Sequence, residues 1–209
     1  MSQSTLTTPD IRQAFDELAP DYDRRLWFDT HILGVRRLRR TLMHKARERI
    51  LDVACGTGSN FQHFPVGSDV TGVDLSEGML DVARSTAEDL GLNVDLRVMD
   101  AEALNFDDNS FDTVVSAIST CTFPNPVQAL KEMKRVCRPD GRILLLEHGR
   151  SKLGLLAAHQ DRRAEAHYEA HAGCRWNQDP ISLAEEAGLM LVKVKRAVLG
   201  VFYLIEARP

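Results

Sequence analysis

Short apolar runs alternate along the chain with longer stretches whose apolar positions recur every three or four residues. "RILDVA" (49–54), "DVTGVD" (69–74), "NVDLRVMD" (93–100), "FDTVVSAI" (111–118) and "GRILLLEH" (141–148) predict strands. The first, fourth and fifth are nearly all apolar, as strands covered on both faces are. Helical patterns lie between them at 58–63, 77–90 and 125–137. In the last, Val127, Leu130, Met133, Lys134 and Cys137 follow helical spacing and Pro126 suits a first turn. "RPDG" (138–141) predicts a stop and a turn. Such βαβαβ alternation predicts a parallel, doubly wound α/β sheet. Residues 152–171 and 178–187 predict two more helices, the second ended by Gly188. Two β-rich runs joined near Gly200 then predict an antiparallel hairpin, so five parallel strands plus two make seven. The N-terminal 48 residues read as helical and are expected to cap the sheet.

Composition narrows the function classes. The chain has 209 residues, 44% of them hydrophobic, which suits one globular domain. Residues 1–50 hold ten Lys/Arg and seven Asp/Glu, so the net charge of −4 comes from an acidic remainder. An acidic body argues against a broad nucleic-acid surface. The four cysteines (Cys55, Cys121, Cys137, Cys174) lie far apart with no C-x-x-C, so reduced thiols are expected rather than a zinc site or disulfides. His167 and His171 have i,i+4 spacing, but no H-E-x-x-H or carboxylate pattern joins them, and no metal is expected. No apolar run approaches ~18–20 residues and the N-terminus lacks an apolar signal core, so a cytoplasmic protein without a membrane span is expected.

The candidate chemistry begins at "LDVACGTGSNF" (51–61), the turn after the first strand. Ligands of open α/β sheets bind beyond the carboxyl ends of the strands. Gly56 and Gly58 let the backbone turn tightly there and approach a ligand closely. A structural corner alone would use the same glycines. Asp74 ends the second strand and stands 22 residues after Asp52, where an acid can hold both hydroxyls of a ribose. The third glycine of G-x-G-x-x-G would fall at position 61, which is Phe, and there is no P-loop. A ribose-bearing ligand without pyrophosphate therefore fits better than a dinucleotide.

"LDVACGTG", "VTGVDLSEGML", "VMDAEAL", "FDTVVS" and "LKEMKRVCRPDGRILLLE" resemble, in order, the successive motifs of class I S-adenosylmethionine (SAM) dependent methyltransferases of the type 11 group. The resemblance spans roughly residues 11–148 and implies a Rossmann-like seven-stranded fold. It divides the chain into a helical cap (1–48) and a SAM-binding core (49–209) with an acceptor-side insertion at about 149–180. It also implies roles residue by residue. Asp52, Ala54, Gly56 and Gly58 match the loop under the methionine part of SAM, and Asp74 matches the ribose acid. Leu75 and Met79 match residues packing on adenine, Asp100 and Ala101 the contact to its edge, and Ala117 and Ile118 the floor near the sulfur. "FDELAPDYD" (15–23) resembles the ubiquinone/menaquinone branch, in which Tyr22 would close over SAM.

Methyl transfer is an in-line displacement in which the enzyme mainly aligns the nucleophile and excludes water. "AISTCTFPNP" (117–126) lacks the Asp/Asn-Pro-Pro-Tyr/Phe motif of amino-type DNA methyltransferases, so a small or lipid-like acceptor is expected. "GTGSNFQHFPVGSDVTGVD", "LLLEHGRS" and "GCRWN" resemble a subgroup containing bacterial phosphatidylethanolamine N-methyltransferases and membrane-associated thiol methyltransferases of animals. That implies N- or S-methylation, with C-methylation of a quinone precursor as the alternative and a non-catalytic SAM-binding module as a second. His148, directly after the fifth strand, is a candidate base or a hydrogen-bonded structural histidine. Tyr22, Ser119 and Cys121 are candidates for the acceptor pocket, and Arg150 and Arg175 for meeting a phosphate. "RRLRRTLMHKARER" (36–49) holds seven Lys/Arg and one Glu. Val35, Leu38, Leu42 and Ala46 form a stripe at helical spacing that suits either an anionic membrane surface or the protein's own core. "SKLGLLAAH" (151–159) is a second membrane candidate. Oligomeric state is not readable from the sequence.

Overall fold

In the computed structural model, which describes residues 6–25 and 33–209, seven strands form one sheet. They are β1 (Arg49–Val53), β2 (Asp69–Asp74), β3 (Val94–Val98), β4 (Phe111–Ala117), β5 (Cys137–His148), β6 (Met190–Ala197) and β7 (Phe202–Arg208). The order across the sheet is β3-β2-β1-β4-β5-β7-β6. β1 to β5 pair in parallel, whereas β7 runs antiparallel to both β5 and β6. This is the doubly wound sheet with a terminal hairpin that the hydrophobic pattern predicts.

Helices α1 (Thr8–Leu18), α2 (Tyr22–Arg25) and α3 (Val35–Met43) precede the sheet. The parts of the expected cap at 1–5 and 26–32 lie outside the described residues. α4 (Glu77–Asp89) and α5 (Pro126–Val136) are crossover helices, and α6 (Gly154–Ala170) and α7 (Pro180–Glu186) lie between β5 and the hairpin. Each start has a chemical reason. Ser76 caps α4 by accepting from the Met79 N–H, Asn125 caps α5 from Gln128 with Pro126 in the first turn, and Thr7 forms a capping box with Asp10.

The unbroken apolar character of β1, β4 and β5 follows from cover on both faces. Leu51, Val114, Ile143 and Leu145 belong to the core under α5 and α7. Their neighbours Ile50, Val115, Leu144 and Leu146 belong to the core under α3. The same packing decides the ambiguous stripe. Val35, Leu42 and Ala46 are buried in the core under α3, so the stripe is an internal face. Arg36, Arg37 and Arg40 are exposed on the other side of that helix.

Two segments differ from expectation. "RPDG" is not a separate turn before β5. α5 stops at Val136 and the chain continues extended, but between the pairs Phe111↔Cys137 and Thr113↔Arg142 residues 138–141 bulge out opposite Asp112. Pro139, lacking an N–H, suits a bulge in the ladder. At 58–63 there is a single 3-10 turn, Phe61–His63, instead of a helix. Phe61 packs under the preceding corner so closely that a Cβ on Gly58 (φ +80°) would lie 2.5 Å from its ring. Gly58 is thus required by Phe61 as well as by its own backbone.

Arg135 at the end of α5 fixes the loop before β4. Its guanidinium donates to Glu132 (2.7 and 2.9 Å), to Asp108 (2.8 Å) and to the carbonyls of Leu104 (2.7 Å) and Phe106 (2.8 Å). Two half-buried carbonyls would lose a charged donor in Arg135→Ala. The expected cost is about 2–3 kcal/mol. That corresponds to a fall in Tm of roughly 4–12 °C for a chain of this size. Thermal denaturation of the variant checks this, and an unchanged Tm would show that the fork contributes nothing net.

Candidate active site

β1 and β4 are neighbours, but the chain leaves them in opposite directions along the sheet, and a crevice opens beyond their carboxyl ends. A cavity of about 410 Å³ occupies it. Two non-glycine residues at its floor, Ala54 (φ 53°) after β1 and Ile118 (φ 58°) after β4, have left-handed backbones. Such conformations cost about 1–3 kcal/mol each and concentrate where a backbone serves a site.

At one end the cavity is walled by Leu75, Met79, Met99, Asp100 and Ala101. Asp74 and Gly56 follow, then Ala117, Ile118 and Ser119. The Asp74 carboxylate accepts from Gly56 N (2.9 Å) and Ser76 N (3.0 Å), which sets its orientation and leaves lone pairs for a ligand. Burial raises its pKa above the usual carboxylate range, against the pull of those N–H donors. Asp100 is fixed by Glu102 N (2.9 Å).

The cap is latched over this crevice by acids of the N-terminal segment. Asp16 accepts from Ser76 Oγ (2.5 Å) and Gly78 N (3.0 Å), and Asp23 accepts from Thr57 Oγ1 (2.8 Å). Ile11, Phe15 and Tyr22 therefore line the cavity from above. Burial pushes the Tyr22 phenol well above its ordinary value, so it stays protonated.

Behind the β1 turn lies a polar relay. Asp52, fully buried, accepts both hydrogen bonds of the Asn60 amide nitrogen (2.8 and 3.0 Å), and Asn60 Oδ1 accepts from Arg39 Nη1 (2.6 Å). Burial raises the Asp52 pKa to about 7, opposed by Asn60 and Arg39. His63 is held down to about 4 by burial and by Arg39, Arg36 and Arg40. Its buried Nε2, in the cavity wall, has no hydrogen-bond partner among the described residues. An orphaned polar atom beside Arg39 and Asn60 fits the amino-acid end of SAM, and Asp74 with Asp100 fits its nucleoside.

Of the residues singled out from sequence, the cavity brings together Tyr22, Ala54, Gly56, Asp74, Leu75, Met79, Asp100, Ala101, Ala117, Ile118 and Ser119. Asp52 and Gly58 stand behind its wall, one orienting Asn60 and the other admitting Phe61. Arg150 is held by Asp161 (2.8–3.1 Å), and Arg175 donates to Phe123 O (2.7 Å) and lies over the Tyr168 ring; neither lines the cavity. His148 and Cys121 are also outside the lining, with His148 Nε2 3.4 Å from Cys174 Sγ. Arg39, Asn60 and Glu147 are additions. Arg39 sits on the Val35–Leu42–Ala46 stripe at helical spacing, a signal for a buried cation. Buried Glu147 receives Ser119 N (3.2 Å) and Thr120 N (3.3 Å), pinning the loop after β4.

A seven-stranded sheet of this order, with a crevice at the β1/β4 switch and an acid at the end of β2, is the architecture of SAM-dependent methyltransferases. Relatives more than 30% identical and covered over more than two thirds of their length show that the chain belongs to the class I SAM-dependent methyltransferases, and the family described as "Methyltransferase domain" matches residues 51–145. The phosphatidylethanolamine N-methyltransferase of Cereibacter sphaeroides is 39% identical over 145 residues, 68% of this chain and 70% of that protein. The ubiquinone/menaquinone biosynthesis C-methyltransferase UbiE of Hahella chejuensis is 33% identical, over 93% of this chain and 89% of that one. Methyltransferase OMS1, mitochondrial, of Saccharomyces cerevisiae is 30% identical over the whole of this chain, which spans about half (48%) of that protein.

Two predictions follow from the geometry. Asp74→Ala removes the candidate ribose acceptor, and SAM affinity by calorimetry is expected to fall at least ~10-fold, about 1.4 kcal/mol; unaltered affinity would remove Asp74 from the site. The second concerns pH. Asp52 has a folded pKa of about 7 against 3.8 for the ordinary side chain. Between these values the folded protein keeps a proton that the unfolded chain loses, so this contribution to stability is lost as pH rises through the window. His63 contributes with the opposite sign, since its folded pKa is depressed. Subtracting the denaturation midpoints of Asp52→Asn from those of the unaltered protein cancels His63. The difference is expected to grow more negative from pH 5 to pH 7.5, and a flat difference would mean Asp52 is ionised throughout.

Proposed function

We propose that this protein transfers the methyl group of SAM to the amine of a phosphatidylethanolamine-type lipid. The observation that carries the reading is the make-up of the cavity lining. Exposed Arg36 lines it, donating to Gln62 (3.3 Å), together with apolar Ile11, Phe15, Phe123 and Pro124. A lining that combines a guanidinium with apolar side chains suits a lipid phosphodiester with its glycerol end. The likeness to the Cereibacter enzyme supports the same acceptor. Leu153, Leu155 and Leu199 are exposed, and Ser151 Oγ donates to Leu199 O (2.6 Å) beside Lys152. Apolar side chains next to a lysine suit shallow peripheral contact with an anionic membrane. Among the described residues no helix is long and apolar enough to cross one.

When bound, SAM supplies an electrophilic methyl on a sulfonium, and the chain's own residues position and shield it. Ala117 and Ile118 would form the floor beside the reacting carbon. Tyr22, held as the phenol, would close the top and offer a hydrogen bond without accepting the proton. The Asp16 and Asp23 latches would hold α1 and α2 down and exclude water. An alkylammonium must lose its proton before attack, and with no free carboxylate among the described residues at the β4 end of the wall it would shed that proton to solvent on entering.

Labelled SAM incubated separately with phosphatidylethanolamine vesicles, dithiothreitol and a demethylmenaquinone tests this reading. Label is expected in the vesicles, with Arg36→Ala raising the lipid KM several-fold. Label confined to the quinone, the acceptor class of the Hahella relative, or to the thiol would overturn it.

A further inference from the structure

Behind the loop that carries Ser119, Thr122 and Phe123 into the cavity wall, three side chains from distant parts of the chain meet. Cys121 follows β4, His148 ends β5, and Cys174 lies in the segment after α6. Their ligand atoms, two sulfurs and one imidazole nitrogen, all lie within 4.8 Å of one another, and Cys174 Sγ stands 3.4 Å from His148 Nε2. Both cysteines are buried and His148 is half-buried. Around one tetrahedral zinc ion, with Zn–S ~2.3 Å and Zn–N ~2.0–2.1 Å, sulfur and nitrogen ligands lie ~3.6 Å apart and two sulfurs ~3.8 Å apart.

We propose that Cys121, Cys174 and His148 hold a zinc-class divalent cation in a site separate from the SAM cavity. Two thiolates and a neutral imidazole are the soft donors that select such an ion over magnesium or calcium. Two thiolates cancel its charge, so the assembly can be buried. Three protein ligands leave a fourth position on a tetrahedral zinc ion for water. Supporting bonds hold the ligands in place. Arg175 N donates to Cys121 O (2.9 Å), Cys174 N to His171 O (3.0 Å), and Gln178 Nε2 to Thr120 Oγ1 (2.9 Å). The ion would clamp the loop after β4, the end of β5 and the 171–178 segment together, and so stiffen the acceptor-side wall from behind. Binding releases the two thiol protons to solvent and changes no oxidation state. The inference is independent of the identity of the methyl acceptor.

The test uses the full chain, purified reduced and without chelator, then loaded with Zn2+ or Co2+ and desalted. About one equivalent of zinc per chain is expected by elemental analysis. The Co2+ form is expected to show intense tetrahedral visible bands and a thiolate-to-metal band in the near ultraviolet. Cys121→Ser/Cys174→Ser is expected to lose both, whereas Cys137→Ser keeps them. If the double variant does not fold, the Co2+ spectrum of the unaltered protein decides alone, because two thiolate ligands give a charge-transfer band that nitrogen and oxygen ligands do not. Less than about a tenth of an equivalent on folded, reduced protein would overturn the site. So would retention of metal by a folded double variant, or a Cys121–Cys174 disulfide in the protein as isolated.

Discussion

The reversal of chain direction between β1 and β4 is the constraint on which the rest depends. Two parallel strands pair side by side, but one connection crosses to β2 and the other to β5. Neither connection covers the gap between their carboxyl ends, and the polypeptide must leave both strands sharply. It does so through left-handed residues at Ala54 and Ile118, the floor of the cavity. The N-terminal segment then has a crevice to cover, and the acids Asp16 and Asp23 bind it to N–H and hydroxyl donors at the rim. Position, shape and lid of the site thus follow from one topological fact.

That crevice concentrates buried charge, and the cost explains the surrounding chemistry. Asp52 and Glu147 are buried and Asp74 is half-buried, and the pKa values of all three are raised chiefly by desolvation. Each is tied to donors of neighbouring segments: Asn60 for Asp52, Gly56 and Ser76 for Asp74, Ser119 and Thr120 for Glu147. A buried carboxylate with donors left unmade costs several kcal/mol. The loops that supply those donors are therefore fixed relative to the strands that carry the acids. These bonds add to the apolar packing of Cys55 and Phe61 beneath the loop after β1.

What was legible in the sequence tracks what short-range physics determines. β1, β4 and β5 announce themselves because cover on both faces removes polar residues from them. Asp74 and Gly56 stand out because the chain must turn and bind at fixed offsets. The bulge at 138–141 was hidden, since "RPDG" has turn chemistry whether the residues end a ladder or protrude from it. The membrane-like stripe on α3 was ambiguous for a different reason. An amphipathic helix buries its apolar face against a membrane or a sheet equally well, and only the tertiary fold chooses. Arg39 shows the same limit: its spacing placed it on the buried stripe, but nothing local told that Asn60 and Asp52 would be there to receive it.

The cysteine–histidine cluster carries this reasoning furthest. Local metal motifs such as C-x-x-C work because one turn presents two ligands, and their absence was a sound reason to expect none. In this fold the ligand atoms are delivered by strand ends instead. β4 and β5 are adjacent in the sheet, so residues just past their carboxyl ends are neighbours whatever separates them in sequence. Cys121 and His148 are such residues, and the segment after α6 brings Cys174 against them through the hydrogen bond from Arg175 N to Cys121 O. The switch-point geometry that makes one crevice for the cofactor also gathers donors on the acceptor side of the sheet edge. Because Ser119 and Thr122 flank Cys121 in the same loop, whatever occupies the cluster sets the position of the wall against which an acceptor would rest.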